Sequence, residues 1–350
     1  MAVKGEAGRL PVAAAFATIY VVWGSTYLAI AYAVETMPPF LTMAARMLLA
    51  GGALYGWSRS RGEAGLTRGE WKWAAITGAL LFLGGYGALA WAEQRIESGT
   101  AALLGTTSPL WLVLIQWRRG GRRPSPGTWA GLVLGMLGVS LLIGSREGAG
   151  WSDLLPAGAV LVAAFFWAAG SLRASNSPLK GSASRSAGAE MLAGGVVMLA
   201  VGLLLGEAPH VAAAAFSPRS VGALAYLVVF GSIAAFCAYR WLLQERPPSL
   251  VATHSYVNPF VALLLGWMLA GESLGPNVLL AAISIVGAIA LLRRDPVAAG
   301  TVRARTEPVA RGAAVPGATS VSRVTPWRFS LRQLPVTASD PVTHRPPCAR

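Results

Sequence analysis

Thr253, His254, Ser255, Tyr256 and Asn258 stand in the first half of an otherwise apolar run, Ser249 to Glu272, and Pro259 follows them at once. Hydroxyls, an imidazole, a phenol and an amide inside a greasy segment are groups that hold an organic solute by hydrogen bonds and ring faces. The proline adds a backbone acceptor, because Pro259 has no N–H to give to the carbonyl of Ser255. The layout occurs a second time, at Ser98 to Trp117: Pro109 matches Pro259, Ser108 matches Asn258, Trp117 matches Trp267, and the carbonyl of Gly105 loses its donor. Freed carbonyls at matching depth in two halves of a membrane protein line solute paths. The structural alternative is a kink whose carbonyl is satisfied by a neighbouring Ser or Thr. Selectivity is expected where the copies differ, Tyr256 and Asn258 on one side against Thr106 and Ser108 on the other.

Catalytic constellations are missing from the sequence. The histidines are His210, His254 and His344, two of them in loop or tail, too scattered for a metal site or a triad. There is no paired-carboxylate face and no phosphate-cradling glycine loop. Cys237 and Cys348 form no CxxC pair. An enzyme, a bound cofactor and ATP-driven pumping by this chain are therefore not expected. Charges inside apolar spans are informative instead, since each costs several kcal/mol at a bilayer centre unless paired or hydrated. Arg46, Glu190 and Arg240 are such charges, while Glu93 and Glu272 fall at span ends, where a helix cap is the simpler reading. Arg46, Glu93, Pro109, Glu190, Pro259 and Glu272 form the candidate gating or coupling set; proton coupling through Glu93, Glu190 or Glu272 and facilitated diffusion both fit. Trp and Tyr at bilayer edges are ordinary anchors, but several here are mid-span. With nearby hydroxyls and amides they give the candidate solute-binding set: Trp23, Ser25, Tyr27, Trp91, Thr107, Trp167, Tyr239, Tyr256 and Asn258. Core packing is the alternative for any one of them.

The elements that position these residues are membrane spans. The chain is 54% hydrophobic and 13% charged, with a mean hydropathy of +0.54, the composition of a polytopic membrane protein. Ten spans are expected, at 11–33, 39–57, 72–92, 99–117, 128–145, 152–172, 187–206, 220–243, 249–271 and 275–293. With the N-terminus inside, fifteen basic residues fall in inner segments and three, Arg95, Arg146 and Arg219, in outer ones, so both termini are expected in the cytoplasm. The net charge of +14 is thus a topology signal and not a nucleic-acid patch. Five spans per half is an odd number, which forces the second half to enter the membrane from the opposite side; the halves read as an inverted repeat, 10–146 and 151–293. Gly131, Gly135 and Gly138 form a small-residue stripe for close helix contact, within the scaffold or in a homodimer. From 294 to 350 the sequence is rich in Pro, Ala, Thr, Ser and Arg, a disordered basic tail that could touch anionic lipid.

The segments WGSTYLAI at 23–30, PPFLTMAARMLLAGG at 38–52, AEQRIESGTAALL at 92–104, TSPLW at 107–111, GSIAAFCAYRWLL at 231–243 and THSYVNPFVALLLGWMLAGE at 253–272 resemble the EamA-type permeases of the drug/metabolite transporter superfamily, in particular the YedA-like inner-membrane exporters. The resemblance covers roughly 10–293 and leaves the tail unmatched. It implies an all-α membrane protein of ten helices in two inverted five-helix repeats. A central cavity would be lined by the first, third, fourth, sixth, eighth and ninth helices, with export of a small organic solute by alternating access. The chain departs from the family pattern at Arg122, which stands where Glu272 stands in the second copy. A non-transporting scaffold or lipid-binding protein is the alternative function.

Overall fold

A computed structural model of the chain describes residues 9–120, 123, 125–144, 151–179, 181–213, 216–246, 251 and 254–293. The tail, Arg122, Thr253 and the side chain of Tyr256 lie outside the described residues. The helices are α1 (Arg9–Val34), α2 (Pro39–Ser60), α3 (Arg68–Gly78), α4 (Ala88–Ala92), α5 (Ser98–Gly105), α6 (Ser108–Arg118) and α7 (Pro126–Gly144) in the first half. The second half holds α8 (Trp151–Ser175), α9 (Ala183–Leu204), α10 (Ala208–Ala213), α11 (Pro218–Tyr226), α12 (Ala235–Glu245), α13 (His254–Leu265) and α14 (Pro276–Arg293). Three stretches widen to a π-helix: Ala79–Gly87 joins α3 to α4, Leu227–Ala234 joins α11 to α12, and Gly266–Ala270 extends α13. The described residues contain no strand.

Six of the ten expected spans are long and apolar enough to cross a bilayer, among the described residues: Leu10–Val34, Arg68–Ala92, Ser98–Arg118, Leu154–Ser175, Ala183–Leu204 and Pro218–Leu242. Val257–Ala270 and Pro276–Ala288 are apolar but shorter. Two helices begin earlier than hydropathy suggests, because polar side chains cap them outside the apolar run. Thr67 and Glu70 make a capping box, with Glu70 N donating to Thr67 Oγ1 at 3.3 Å and Thr67 N to the Glu70 carboxylate at 2.8 Å. Ser182 caps α9 by accepting from Arg185 N at 3.1 Å.

The fourth span departs most from expectation, since it is two helices and not one. The chain turns at Thr106 and Thr107, and Pro109 sits at the start of α6, where a missing N–H breaks no helical hydrogen bond. Nor is the Gly105 carbonyl left empty, for Ser108 Oγ donates to it at 2.9 Å. Pro259, by contrast, lies inside α13.

The helices pack in matched pairs. α2 lies along α9 and α7 along α14; α1 packs on α13 and α12, while α8 packs on α6 and on Ala79–Gly87; α2 meets Leu227–Ala234 as α9 meets Ala79–Gly87. Glycines permit the closest crossings. A Cβ on Gly78 would lie 2.2 Å from the Glu190 carbonyl oxygen and 2.8 Å from Gly194 N, both backbone atoms that cannot rotate away. Gly78→Ala is therefore expected to lower stability by about 1–3 kcal/mol, the usual cost of overpacking. A denaturation midpoint unchanged in detergent would show that α3 and α9 do not touch as described. In the stripe expected for helix contact, a Cβ on Gly138 would come within 2.7 Å of Ile285 Cγ1 and 3.1 Å of the Ala281 carbonyl oxygen. That face is used inside the chain, against α14, and lends no support to a homodimer.

Candidate functional site

Trp23 is the hub of the polar interruption in the helices. Its ring lies 4.9 Å from that of Tyr239, 5.0 Å from the His254 imidazole and 6.0 Å from Trp167, the last two edge-on. Such tilted and T-shaped contacts are the favourable ones for aromatic quadrupoles. The indole N–H donates to the Gly231 carbonyl at 3.2 Å, inside the Leu227–Ala234 π-helix. A cavity of about 80 Å³ opens beside this cluster. α1 contributes Trp23, Thr26 and Tyr27 to its wall, the third helical run Tyr86 and Leu89, and the broken fourth run Gly105, Thr106 and Ser108. α8 adds Ala163 and Trp167, and α13 adds His254, Ser255 and Asn258. A space of that size holds several waters, and it is partly open to its surroundings.

The hydrogen bonds of the wall decide what it can offer. Thr26 Oγ1 donates to the Trp23 carbonyl at 2.6 Å, Thr106 Oγ1 to that of Leu103 at 2.6 Å, and Ser108 Oγ to that of Gly105. The protons of these three hydroxyls are thus turned back onto the helix, and their oxygens present lone pairs. The Asn258 amide fits its surroundings with the nitrogen donating to the His254 and Tyr20 carbonyls, at 3.0 and 3.3 Å. Its oxygen then faces His254 Nδ1 at 3.4 Å. The wall is rich in acceptors and ring faces. No metal-holding group of three or more His, Cys, Asp or Glu occurs among the described residues.

Of the residues expected to bind solute, Trp23, Tyr27, Trp167 and Asn258 meet at this cavity. Tyr239 backs Trp23 from the outside of the ring cluster. Thr107 donates to the Leu104 carbonyl at 2.7 Å and points elsewhere, its neighbour Thr106 lining the wall instead. Ser25 faces the other side of α1, 2.6 Å from the Tyr226 hydroxyl. Trp91 is two residues beyond Leu89, about 200° around a helix, and lines a different cavity of about 480 Å³ with Phe40, Gln94 and Glu207. Ala88 with Leu89, and Ala159 with Val160, place the two cavities on adjacent faces of the same helix pair. Tyr86, His254 and Ser255 line the wall although they were outside the expected set. The polar run had flagged the last two, and the helical spacing of Tyr86 from Leu89 carries the signal for the first.

Each expected gating residue has a definite place. Arg46 is wholly buried on α2; its Nε donates to Ser232 Oγ at 2.9 Å and its guanidinium lies 4.4 Å from the centre of the Tyr86 ring. It thereby ties the Leu227–Ala234 π-helix to the Ala79–Gly87 one. Glu190 is wholly buried 3.9 Å from Arg240. The Glu272 carboxylate accepts from Ser98 N at 2.8 Å, Ser98 Oγ at 2.6 Å and Gly99 N at 2.9 Å, capping α5. Glu207 does the same for α2, through Phe40 N and Leu41 N at 3.2 and 2.8 Å. Glu93 closes α4 and is 6% exposed, and neither carboxylate oxygen has a hydrogen-bond partner among the described residues.

Residues 11–144 and 155–294 each match the EamA-like transporter family. The chain is 36% identical, over 81% of its length and 90% of the relative's, to the inner membrane transporter YedA of Escherichia coli (strain K12). It is 27% identical to Protein PecM of Dickeya dadantii (strain 3937), over 78% of this chain and 89% of that one. A solved crystal structure at 21% identity covers 81% of this chain and 96% of its own, with a TM-score of 0.56, and shares the fold.

Proposed function

Because the chain belongs to the EamA-like transporter family, we propose that it exports a small organic solute across the inner membrane by alternating access through the cavity beside Trp23. The protein is a multi-pass inner-membrane transporter. The reading adds the architecture: ten spanning helices as two inverted repeats, 10–146 and 151–293, with both termini in the cytoplasm. The paired family matches, the matched helix contacts and the π-helices before α4 and before α12 support it.

The observation that carries the site is the meeting of Trp23, Tyr27, Trp167 and Asn258, from three separate helices, around one cavity. Acceptor oxygens and ring faces suit a solute with hydrogen-bond donors on an apolar body. The wider cavity at Trp91 and Phe40 has the size of ordinary ligand sites, about 300–1,000 Å³, and serves as the vestibule. The π-helices, frequent at functional sites and hinges, are the points where helices bend as the cavity opens to one side and then the other. Arg46 holds them together in the closed state.

Metabolite levels inside and outside cells with and without the protein test this reading. At least one solute should accumulate in cells lacking it, and Asn258→Ala should reproduce that accumulation with normal membrane insertion. Ser255→Cys should react with a polar thiol reagent in intact membranes. A protected thiol together with unchanged metabolites would favour a non-transporting scaffold.

A further inference from the structure

The three acids of the candidate coupling set stand in very different surroundings. Glu272 is fully engaged as the cap of α5, where its side chain meets three donors at the positive end of a helix. Glu190 is wholly buried with no hydrogen-bond donor to either oxygen among the described residues, but it has Arg240 as a counter-charge at 3.9 Å. Glu93 has neither arrangement: it is buried, both oxygens lack a donor, and it closes the C-terminal end of α4, where the helix dipole disfavours negative charge. A permanent carboxylate in that position leaves buried acceptors unsatisfied. A carboxyl that takes up a proton relieves it.

Position relative to the cavity gives this acid a use. Tyr86, Leu89 and Glu93 follow one another at three and four residues, so they lie along one helix face. The first two line the cavity wall, and Glu93 lies one turn beyond. Tyr27, which also lines the wall, lies within electrostatic reach of Glu93. Arg46 on α2 and Glu272 beyond α13 are the charges that act on it. The α8 stretch Leu154–Phe165, packed against α4, carries no titratable side chain. One cation and one acid therefore act on Glu93 in opposite senses.

Resting on the transporter reading above, we infer that Glu93 is the proton-binding site of this protein, and that its loading and release couple solute export to the proton gradient. Protonated Glu93 belongs to the closed state, in which the carboxyl is buried. Opening of the third helical run wets its end and releases the proton, after which Arg46 is the counter-charge that remains.

Infrared difference spectra of the full-length protein in lipid films, titrated from mildly acidic to mildly alkaline pH, test the proton site without any solute. The protonated-carboxyl C=O band should disappear on titration, be lost in Glu93→Gln and return, shifted, in Glu93→Asp. Spectra of wild type and Glu93→Gln that superimpose at every pH would overturn the assignment. For coupling, the metabolite difference between cells with and without the protein is measured with nigericin to collapse the pH gradient. Wild-type export should fall to background with nigericin, and Glu93→Gln should lose the nigericin-sensitive part. If wild type shows a metabolite difference that nigericin and Glu93→Gln both leave intact, coupling through Glu93 is wrong while the transporter reading stands. If no metabolite difference exists, the transporter reading fails and the infrared band alone decides the proton site.

Discussion

Arg46→Met is expected to fold at least as well as the wild type and to lose solute export almost completely. Arg46 is wholly buried and has no carboxylate in contact among the described residues; its partners there are one serine hydroxyl at 2.9 Å, the Met43 sulfur at 3.8 Å and the face of Tyr86. One of its guanidinium nitrogens has no hydrogen-bond partner among the described residues. Removing a guanidinium from that depth relieves about 2.5–3.5 kcal/mol on insertion scales, and Met keeps the bulk of the stem. A residue that costs this much is retained for something other than stability. Its geometry says what: it joins Ser232 in one π-helix to Tyr86 in the other, and a Cβ on Gly231 would lie 3.1 Å from its Nη2. The thermal midpoint in detergent should stay equal or rise, while export of the metabolite identified in cells falls to background. Arg46→Lys should keep the charge and lose the paired contacts, because an ammonium cannot both reach the serine and stack on the ring. A midpoint that drops by several degrees with export unimpaired would make Arg46 an ordinary structural residue.

Much of this was legible in the sequence because the membrane imposes its own code. Hydropathy located the long apolar helices, and the polar run before Pro259 located one wall of the cavity, since every buried backbone and side-chain polar group there needs a reason. Trp23, Tyr27, Trp167 and Asn258 were recognisable as mid-span polar or aromatic residues, and they converge. What failed to show has local or long-range causes. Whether a proline kinks a helix or restarts one depends on the preceding turn, and Thr106-Thr107 looks helical in hydropathy. A π-helix carries no sequence signature, so the link from Arg46 to Ser232 was invisible. Thr67 and Glu70 did carry a capping signal, but a span criterion built on apolarity passes over polar helix starts. Glu93 and Glu272 looked alike, two acids at span ends, and only the fold separates them: one meets the N-terminus of α5 from 174 residues away and the other meets no donor.

Glu272→Ala is expected to be the most destabilising of the single acidic substitutions. Its carboxylate satisfies two backbone N–H groups and one hydroxyl at the start of α5, an eight-residue helix too short to hold itself. Hydrogen bonds to charged groups contribute about 1.5–3 kcal/mol each, and they are not additive. The carboxylate is partly buried, so a loss of roughly 1.5–3 kcal/mol is the outcome, about that of one such bond. Gln keeps the shape and one acceptor oxygen, so Glu272→Gln should recover part of the loss. Ser98→Ala, which removes one of the three donors and leaves both backbone bonds, should cost about 1 kcal/mol. The Glu272→Ala and Ser98→Ala losses should also fail to add, because both changes remove the hydroxyl contact. The effect reaches function through geometry, since α5 carries Gly105 at the break where the Tyr27 hydroxyl packs, so close that a Cβ on Gly105 would lie 2.8 Å from it. Chemical denaturation in detergent measures the order Ala worse than Gln, and thiol reactivity of Ser255→Cys in the Glu272→Ala background measures whether the cavity has opened. If Ala and Gln unfold at the wild-type midpoint, the carboxylate does not cap α5, and the separation between a capping Glu272 and a titrating Glu93 falls with it.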